Sequence, residues 1–237
     1  MTKAAGKTGA GPTVSVAIEQ HFPPEERILD DELAYRMLPR SMRALVWMTR
    51  FPFIRDWFVR SLEQPAPGLW AGLMARKRYI DERLQESVGQ VDAVVNLGAG
   101  LDTRAYRLRE LATTPFWEDD QAENIAAKRA ALHASLGGVP AHVTLVAVDF
   151  DHEALGDALA RSGYQQERRA FVIVEAVTQY LTEEGIAALV EFLAGAKPGS
   201  RLALTYVLEE FLDGTATHGQ GELREKYVIR EKLWRWG

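Results

Sequence analysis

The spacing of apolar residues changes near Gly89 and divides the chain into two patterns. Before this point, apolar residues recur at the three- and four-residue spacing of amphipathic helices. They predict a helix over residues 25–38, a helical pair over 41–63 and a longer helix over 69–87. After it, short apolar runs alternate with amphipathic segments, which is typical of a parallel sheet with crossover helices. The sequence therefore predicts an α/β fold with a helical N-terminal part.

Five apolar runs are expected to form the strands of the sheet. They are Ala93–Leu97, Phe116–Trp117, Val143–Val148, Phe171–Val174 and Leu202–Val207. Helices are predicted between them over residues 103–111, 122–136 and 152–161, and from the capping residue Thr182 onward. The first 13 residues are small, polar and rich in glycine, which predicts a disordered tail. We therefore expect a tail over 1–13, a helical cap over 14–90, the α/β core over 91–208 and the start of a C-terminal cap segment over 209–237.

The stretch VVNLGAGLDT, residues 94–103, contains the candidate ligand-binding turn. Its apolar run predicts a buried strand, and Gly98 and Gly100 can adopt backbone angles that are closed to other residues. A strand-to-helix turn of this kind is expected to leave unsatisfied backbone N–H groups at the carboxyl edge of the sheet. Because open α/β folds bind their ligands at that edge, we expect the functional site there.

Acidic residues end three of the predicted strands, in the cluster 118–120 and at Asp149 and Glu175. Because the ends of parallel strands share one edge, these carboxylates are expected to lie near the glycine turn. The cluster lies 18 to 20 residues after Gly100, the offset at which an acid binds the two hydroxyls of a ribose. The sequence therefore predicts a nucleoside site.

The turn lacks the features of a pyrophosphate site. Thr103 occupies the position of the third glycine in the dinucleotide fingerprint, and Asp102 would repel a pyrophosphate. The lysine of a phosphate-binding loop is also absent from this turn. These residues favour the cationic, phosphate-free nucleoside S-adenosylmethionine, whose product is S-adenosylhomocysteine. A nicotinamide-dependent oxidoreductase is the disfavoured alternative.

Composition narrows the class of protein further. A net charge of −5 argues against nucleic acid as a partner, and the absence of cysteine excludes disulfides and thiolate metal sites. The five histidines show no paired ligand spacing, so no metal site is predicted. Because the sequence shows no signal peptide and no membrane-spanning run, we expect a cytoplasmic protein without stable membrane insertion. The oligomeric state is left open.

Residues 41–63 combine aromatic residues with arginines. The mixture is compatible with an anion-binding lid or with helices at a membrane surface. The favoured interpretation is an amphipathic helix pair that buries its aromatic residues against the core and leaves its arginines in solvent.

Four motifs carry a resemblance to a known family. They are VVNLGAGLDTRAYRL (94–108), WEDDQ (117–121), VAVDF (146–150) and VEAVTQYLT (174–182). Together they resemble successive motifs of the leucine carboxyl methyltransferase family, which includes bacterial S-adenosylmethionine-dependent O-methyltransferases. The resemblance implies a Rossmann-like class I methyltransferase core under helical caps. It also implies methyl transfer to an oxygen, and we expect a carboxylate of a small molecule or peptide as the acceptor.

The resemblance also implies roles for individual residues. In the turn, Gly98 and Gly100 are expected beside the methionine part of the cofactor, and Asp120 is expected to bind the ribose. Asp149 and the backbone of Phe150 would recognise adenine. Glu175 would face the amino group or methionine part, and Arg76 would pair with the cofactor carboxylate. Tyr180 matches a family tyrosine beside the reaction cavity and is the candidate catalytic residue. Arg104 and Arg107 are expected on a helix face without a catalytic role.

The chain departs from the family pattern at four places. Asp119 stands where the family usually has an apolar residue, Ala122 where proline is common, and Ala176 where the family frequently has a glycine. The family fold also continues past strand five through cap helices to an antiparallel strand pair, for which we find no counterpart in the sequence. A cofactor-binding module without catalysis is therefore a second alternative.

Overall fold

A computed structural model of the chain describes residues 10–149 and 153–237. Five helices precede the sheet: α1 (Ala10–Glu19), α2 (Glu32–Met37), α3 (Arg40–Met48), α4 (Pro52–Glu63) and α5 (Leu69–Gln85). The strands are β1 (Ala93–Leu97), β2 (Phe116–Asp120), β3 (Val143–Ala147), β4 (Ala170–Val174) and β5 (Arg201–Leu204). The helices between and after them are α6 (Arg104–Arg107), α7 (Ala122–Leu136), α8 (Leu155–Arg161), α9 (Glu183–Ala194), α10 (Glu209–Asp213) and α11 (Gly221–Arg224).

The five strands form one parallel sheet in the order β3-β2-β1-β4-β5. This arrangement is the Rossmann-like parallel core that the sequence predicts. Strand β1 lies at the centre and is buried along its whole length, which explains why all of its residues except Asn96 are apolar. The predicted β2 is too short, because the acids 118–120 lie within the strand and pair with β3 rather than following it. The reversal of strand order between β1 and β4 places the crevice beside the glycine turn.

Helix α1 begins inside the predicted N-terminal tail. Residues 10–13 are helical and Thr13 is buried, so the predicted tail differs from the structure there, while residues 1–9 lie outside the described residues. The apolar residues that follow, within Val14–Ile18, pack into the core of the cap. Residues 10–13 form one additional helical turn before them. Buried Glu19 then accepts hydrogen bonds from the Ile28 backbone N–H at 2.7 Å and from the Trp70 indole at 2.9 Å.

The helix predicted over residues 25–38 is wrong in length. A short 3-10 turn occupies Pro24–Glu26, and the chain is extended before α2 starts at Glu32. Asp31 ends the extended stretch by capping α2, because its Oδ1 accepts the Ala34 backbone N–H at 3.0 Å. Leu29, in the extended stretch, packs into the core of the cap.

The prediction that the aromatic residues of 41–63 are buried is wrong for four of them. Trp47, Phe51, Phe53 and Trp57 are 42–73% exposed, and the Arg50 guanidinium lies 3.6 Å from the Trp47 ring centroid. The predicted helix pair is confirmed as α3 and α4. Its inward face is aliphatic and aromatic, through Met42, Phe58, Val59 and Leu62. None of the described helices is long and apolar enough to cross a membrane.

The C-terminal segment returns to the carboxyl edge of the sheet. After α11 a π-helical turn spans Glu225–Arg230, and the Arg235 backbone N–H donates to the Gln179 carbonyl at 2.7 Å. Leu233 is buried and Trp236 packs against the core cluster that contains β1 and β4 residues. The segment is therefore anchored to the turn that follows β4.

Candidate functional site

The glycine turn after β1 is held by the end of β2. Gly98 and Gly100 have φ angles of 63° and 46°, which favour glycine. Their N–H groups donate to carboxylates: Gly98 to Asp119 Oδ1 at 3.3 Å and Gly100 to Asp120 Oδ2 at 2.7 Å. The N–H of Ala99 between them donates to the Asp119 carbonyl at 2.8 Å. The expectation that this turn presents unsatisfied N–H groups is therefore wrong, because β2 accepts all of these protons.

Asp120 is the acid of the cluster that borders both the turn and the crevice. Its Oδ1 accepts the Gln121 backbone N–H and the Asn124 side-chain amide, each at 2.7 Å. Together with Gly100, these donors fill three of the roughly four acceptor positions of a carboxylate. One position on Oδ2 remains for a further donor such as a hydroxyl, so the proposed ribose contact requires either that position or a shift of Asn124.

The neighbouring Glu118 serves the core and does not face a ligand. It is fully buried and forms an ion pair with the equally buried Lys128, with 2.7 Å between Oε1 and Nζ. The Tyr106 hydroxyl donates to its other oxygen. Burial raises the pKa of Glu118, and the Lys128 and Tyr106 contacts act in the opposite direction. The lysine that the sequence places ten residues after this acid is therefore its counter-ion.

Glu175 follows β4 directly, and its carboxylate forms ion pairs with three cationic side chains. Its Oε1 lies 2.9 Å from Arg76 Nε and 3.5 Å from Lys77 Nζ, and its Oε2 lies 2.8 Å from the Arg104 guanidinium. Burial raises the pKa of Glu175, but the charges of Lys77, Arg104 and Arg76 outweigh burial and hold it well below its ordinary value. The two residues implied for the methionine part of a cofactor, Arg76 and Glu175, thus contact each other.

Arg104 links the cap to the core, a role that the sequence reasoning missed. It is 1% exposed, and its Nε donates to Asp81 Oδ1 at 2.6 Å while its Nη1 pairs with Asp102 and Glu175. The expectation of a helix face is wrong because α6 has only four residues and turns this side chain inward. The one available signal was its position inside the LGAGLDTR run.

Arg107 extends the same network toward the N-terminal helices. Its guanidinium pairs with Asp81 at 2.5 Å and with Asp31 at 3.3 Å, and the Thr103 hydroxyl donates to Asp31. Thr103, at the position where a dinucleotide fingerprint has glycine, therefore binds the cap instead of leaving room for a phosphate. Four buried or partly buried acids and four cations form this network: Asp31, Asp81, Asp102, Glu175, Arg76, Lys77, Arg104 and Arg107.

The turn after β4 closes over the glycine turn. Ala176 has a φ angle of 58°, a conformation that favours glycine, and its N–H donates to the Thr205 hydroxyl at 2.8 Å. A Cβ added to Gly98 would lie 2.5 Å from Cγ2 of Val177. Tyr180 ends the 3-10 turn that follows and is partly buried, so its proposed role at the reaction cavity stays a prediction.

The remaining predicted residues lie at the same edge. The Val148 N–H donates to the Asp120 carbonyl at 2.9 Å, which places the exposed Asp149 beside the end of β2. Phe150 lies outside the described residues. Because Leu97 pairs with Val174, the turns that begin at Gly98 and Glu175 leave the sheet side by side. The fold therefore brings the glycine turn, Asp120, Asp149 and Glu175 to the same edge of the sheet, where the strand order reverses and a crevice is expected.

The chemistry of this crevice suits a ligand that carries both charges and no phosphate. Cations and carboxylates alternate along its cap side, and a carboxylate borders the glycine turn. Among the described residues, no group of three or more histidine, aspartate or glutamate side chains is arranged to hold a metal ion.

Comparison with known proteins gives consistent similarities. A model of the family described as leucine carboxyl methyltransferase matches residues 10–194. A protein of Mycobacterium tuberculosis, provisionally named an S-adenosyl-L-methionine-dependent methyltransferase, is 34% identical over 166 residues, which cover 69% of this chain and 52% of the relative. A Mycolicibacterium gilvum protein with the same provisional name is 32% identical over 167 residues, covering 69% of this chain and 52% of that protein. The chain thus spans about half the length of the curated relatives it matches.

Two solved structures share the fold. One is a DUF574 family protein of Streptomyces avermitilis, with a TM-score of 0.54 and 16% identity, covering 78% of this chain and 72% of that chain. The other is a Thermobifida fusca protein provisionally described as a methyltransferase, with a TM-score of 0.56 and 16% identity, covering 78% of this chain and 69% of that chain.

Proposed function

The chain belongs to the leucine carboxyl methyltransferase family, and from this membership we propose that it is an S-adenosylmethionine-dependent O-methyltransferase acting on a carboxylate of a small molecule or peptide. The cofactor would bind in the crevice at the carboxyl edge of the sheet. Because the chain spans about half the length of its curated relatives, the activity of the whole protein is part of this proposal.

The observation that carries the proposal is the ion pair between Arg76 and Glu175 at the rim of the glycine turn. The amino-acid end of S-adenosylmethionine is a zwitterion, so its carboxylate can take the place of Glu175 on Arg76 while its ammonium binds Glu175. One internal ion pair is exchanged for two with the ligand, and no charge is left unpaired. Lys77 and Arg104 stay on Glu175 and hold it in its ionised form.

The second support is the absence of free donors for a pyrophosphate on the glycine turn. The N–H groups of residues 98–100 all donate to β2. Burial raises the pKa of Asp102 beside the turn, but the charges of Arg104 and Lys77 outweigh burial and hold the pKa below its ordinary value. The Asp102 carboxylate accepts the Arg104 backbone N–H and pairs with the Arg104 guanidinium, so an acid already occupies the start of α6, where a dinucleotide would carry its phosphates. This disfavours the nicotinamide-dependent alternative.

A carboxylate acceptor would require little acid–base chemistry from the protein. When bound, S-adenosylmethionine supplies an electrophilic methyl group, which the acceptor oxygen takes while the C–S bond electrons stay on sulfur. A carboxylic acid is already ionised near neutral pH, so the protein has to orient and desolvate it without a strong general base. A phenol or alcohol acceptor would need a base, and Tyr180 is the candidate that the turn after β4 provides.

Calorimetric titration with S-adenosylhomocysteine tests the cofactor site. Replacing Asp120 or Glu175 by alanine is expected to weaken binding about 10- to 100-fold, the loss of one or two hydrogen bonds to a charged group. Asp92→Ala is the matched control, because Asp92 precedes β1 at the opposite edge of the sheet and forms an exposed pair with Arg169. Unchanged affinity in both site variants would refute the assignment of these residues.

Transfer of labelled methyl groups to a library of carboxylic acids separates an enzyme from a cofactor-binding module. Methylation of at least one acid that is lost in Glu175→Ala supports the enzyme. Binding of S-adenosylhomocysteine without transfer to any acceptor would support the module instead. Tight binding of NAD in the same calorimetric assay would favour the oxidoreductase.

A further inference from the structure

The carboxyl group of Asp119 is an unusual feature of the end of β2. Its side chain is 0% exposed, its Oδ1 accepts the Gly98 N–H at 3.3 Å, and its Oδ2 has no hydrogen-bond partner. Among the described residues no cation forms an ion pair with it, because Lys128, the cation of this strand end, pairs with Glu118. A buried ionised carboxylate without a counter-ion is costly, whereas a neutral carboxylic acid with one accepted hydrogen bond is tolerated.

The alternation of the strand explains why Lys128 cannot serve both acids. Consecutive residues of a strand point to opposite faces, so Glu118 and Asp120 share the α7 face while Asp119 shares the face of Trp117. That face is apolar and includes Leu97 of β1 and Val146 of β3, the residue opposite Asp119 in the sheet. Asp119 therefore lies between the hydrophobic core and the glycine turn.

From this geometry we propose that Asp119 is a positioning residue that works as a neutral carboxylic acid: it orients the glycine turn through Gly98 while adding no charge beneath the cofactor. Its backbone carbonyl binds Ala99, so one residue fixes two of the three N–H groups of the turn. Asp120 fixes the third through Gly100. The proposal rests on the cofactor site proposed above, in which this turn borders the ligand.

The two neighbouring carboxylates act on Asp119 in the same direction as its burial. Burial raises its pKa well above the ordinary value; the Gly98 hydrogen bond and Lys128 lower it, and the neighbouring Asp120 and Glu118 raise it. Ionisation would place a second carboxylate charge beside Asp120 at the turn. Because that charge would be buried without a counter-ion, we expect the end of β2 to shift until the charge is solvated or paired, which disturbs the turn and weakens the binding of the cofactor.

The test measures S-adenosylhomocysteine affinity over about pH 6 to 9 in the wild type, in Asp119→Asn and in Asp119→Leu. Asparagine keeps the acceptor oxygen, the shape and the neutral charge, so its affinity is expected to match the wild type at low pH. If only the protonated wild type binds well, its affinity falls by up to about tenfold per pH unit above the pKa of Asp119, whereas the asparagine variant lacks this fall. The leucine side chain lacks the acceptor oxygen, so Asp119→Leu is expected to bind S-adenosylhomocysteine about tenfold more weakly than the wild type at every pH.

The ¹³C resonance of the Asp119 carboxyl, identified by its loss in Asp119→Asn, reports the protonation state without any ligand. A protonated carboxyl at neutral pH is expected. An ionised carboxyl at neutral pH would overturn the proposal. So would a titration of this resonance during which the affinities of the wild type and of Asp119→Asn change in parallel. An affinity of Asp119→Leu equal to that of the wild type would also overturn it. If the wild type bound no S-adenosylhomocysteine at any pH, the cofactor site would fail, and the resonance would still decide the state of Asp119.

Discussion

The contact between the two turns at the crevice gives a sharp stability prediction for Gly98→Ala. The new Cβ would lie 2.5 Å from Cγ2 of Val177, a side chain that is itself buried. Two costs add: the positive φ angle of 63°, at about 1–2 kcal/mol for a residue with a Cβ, and the overlap, at about 1–3 kcal/mol in a packed site. We expect the free energy of unfolding to fall by about 3 kcal/mol, which lowers Tm by roughly 6–12 °C for a chain of this size.

Gly89→Ala is the matched control because it has the first cost and not the second. Gly89 has a φ angle of 78°, and a Cβ added there meets nothing within 4 Å. Urea unfolding is expected to show a loss of about 1 kcal/mol for Gly89→Ala. In the double variant Gly98→Ala/Val177→Ala the overlap is gone, so the two substitutions should couple favourably by about 1–2 kcal/mol. Equal losses for Gly98→Ala and Gly89→Ala, or the absence of coupling, would refute the reasoning.

Three further predictions concern buried charges and backbone strain. Lys128→Met leaves the buried Glu118 carboxylate without its counter-ion, and urea titration should show a loss of about 3–5 kcal/mol in the free energy of unfolding. Much of this loss should be recovered in the double variant, in which Glu118 is also replaced by leucine. Ala176→Gly relieves a φ angle of 58° and should raise the free energy of unfolding by about 0.5–1 kcal/mol after the entropy of the added glycine, which calorimetry would show as a slightly higher Tm. A lower Tm would contradict the strain. The pKa of Glu175 is lowered in the folded state, so ionised Glu175 stabilises the fold fully at pH values above its unfolded-state pKa of about 4.3, and this stabilisation is lost as the pH falls below that value. The free energy of unfolding should therefore fall less steeply with acid in Glu175→Gln than in the wild type.

The core of the fold could be predicted from the sequence because its signals are local. A mainly apolar run such as Ala93–Leu97 suits a central strand buried on both faces, and helix Ala122–Leu136 ends at the glycine that follows it, Gly137. The acids at the strand ends converge because parallel strands end at one edge, whatever the details of their packing.

The cap was predicted less well because tertiary contacts override its local pattern. The helical spacing of residues 25–38 does not show that Asp31 starts a new helix. The aromatic residues of 41–63 have a pattern that fits burial, yet Phe53 is 73% and Trp57 67% exposed in the described structure. Amphipathic spacing shows that one side of a helix is apolar, whereas the neighbouring helices decide which side they cover.

By itself the sequence determined which residue types reach the crevice: two glycines, a row of acids and an arginine-rich helix, in an order that topology brings to one edge. Only the tertiary structure decided how they pair. Arg104 is buried and forms an ion pair with Glu175, and the three N–H groups of the turn donate to β2. Among the described residues, no cation forms an ion pair with Asp119. Pairing depends on distances of a few ångström between residues that are far apart in sequence, and hydrogen bonds and desolvated charges respond to those distances alone.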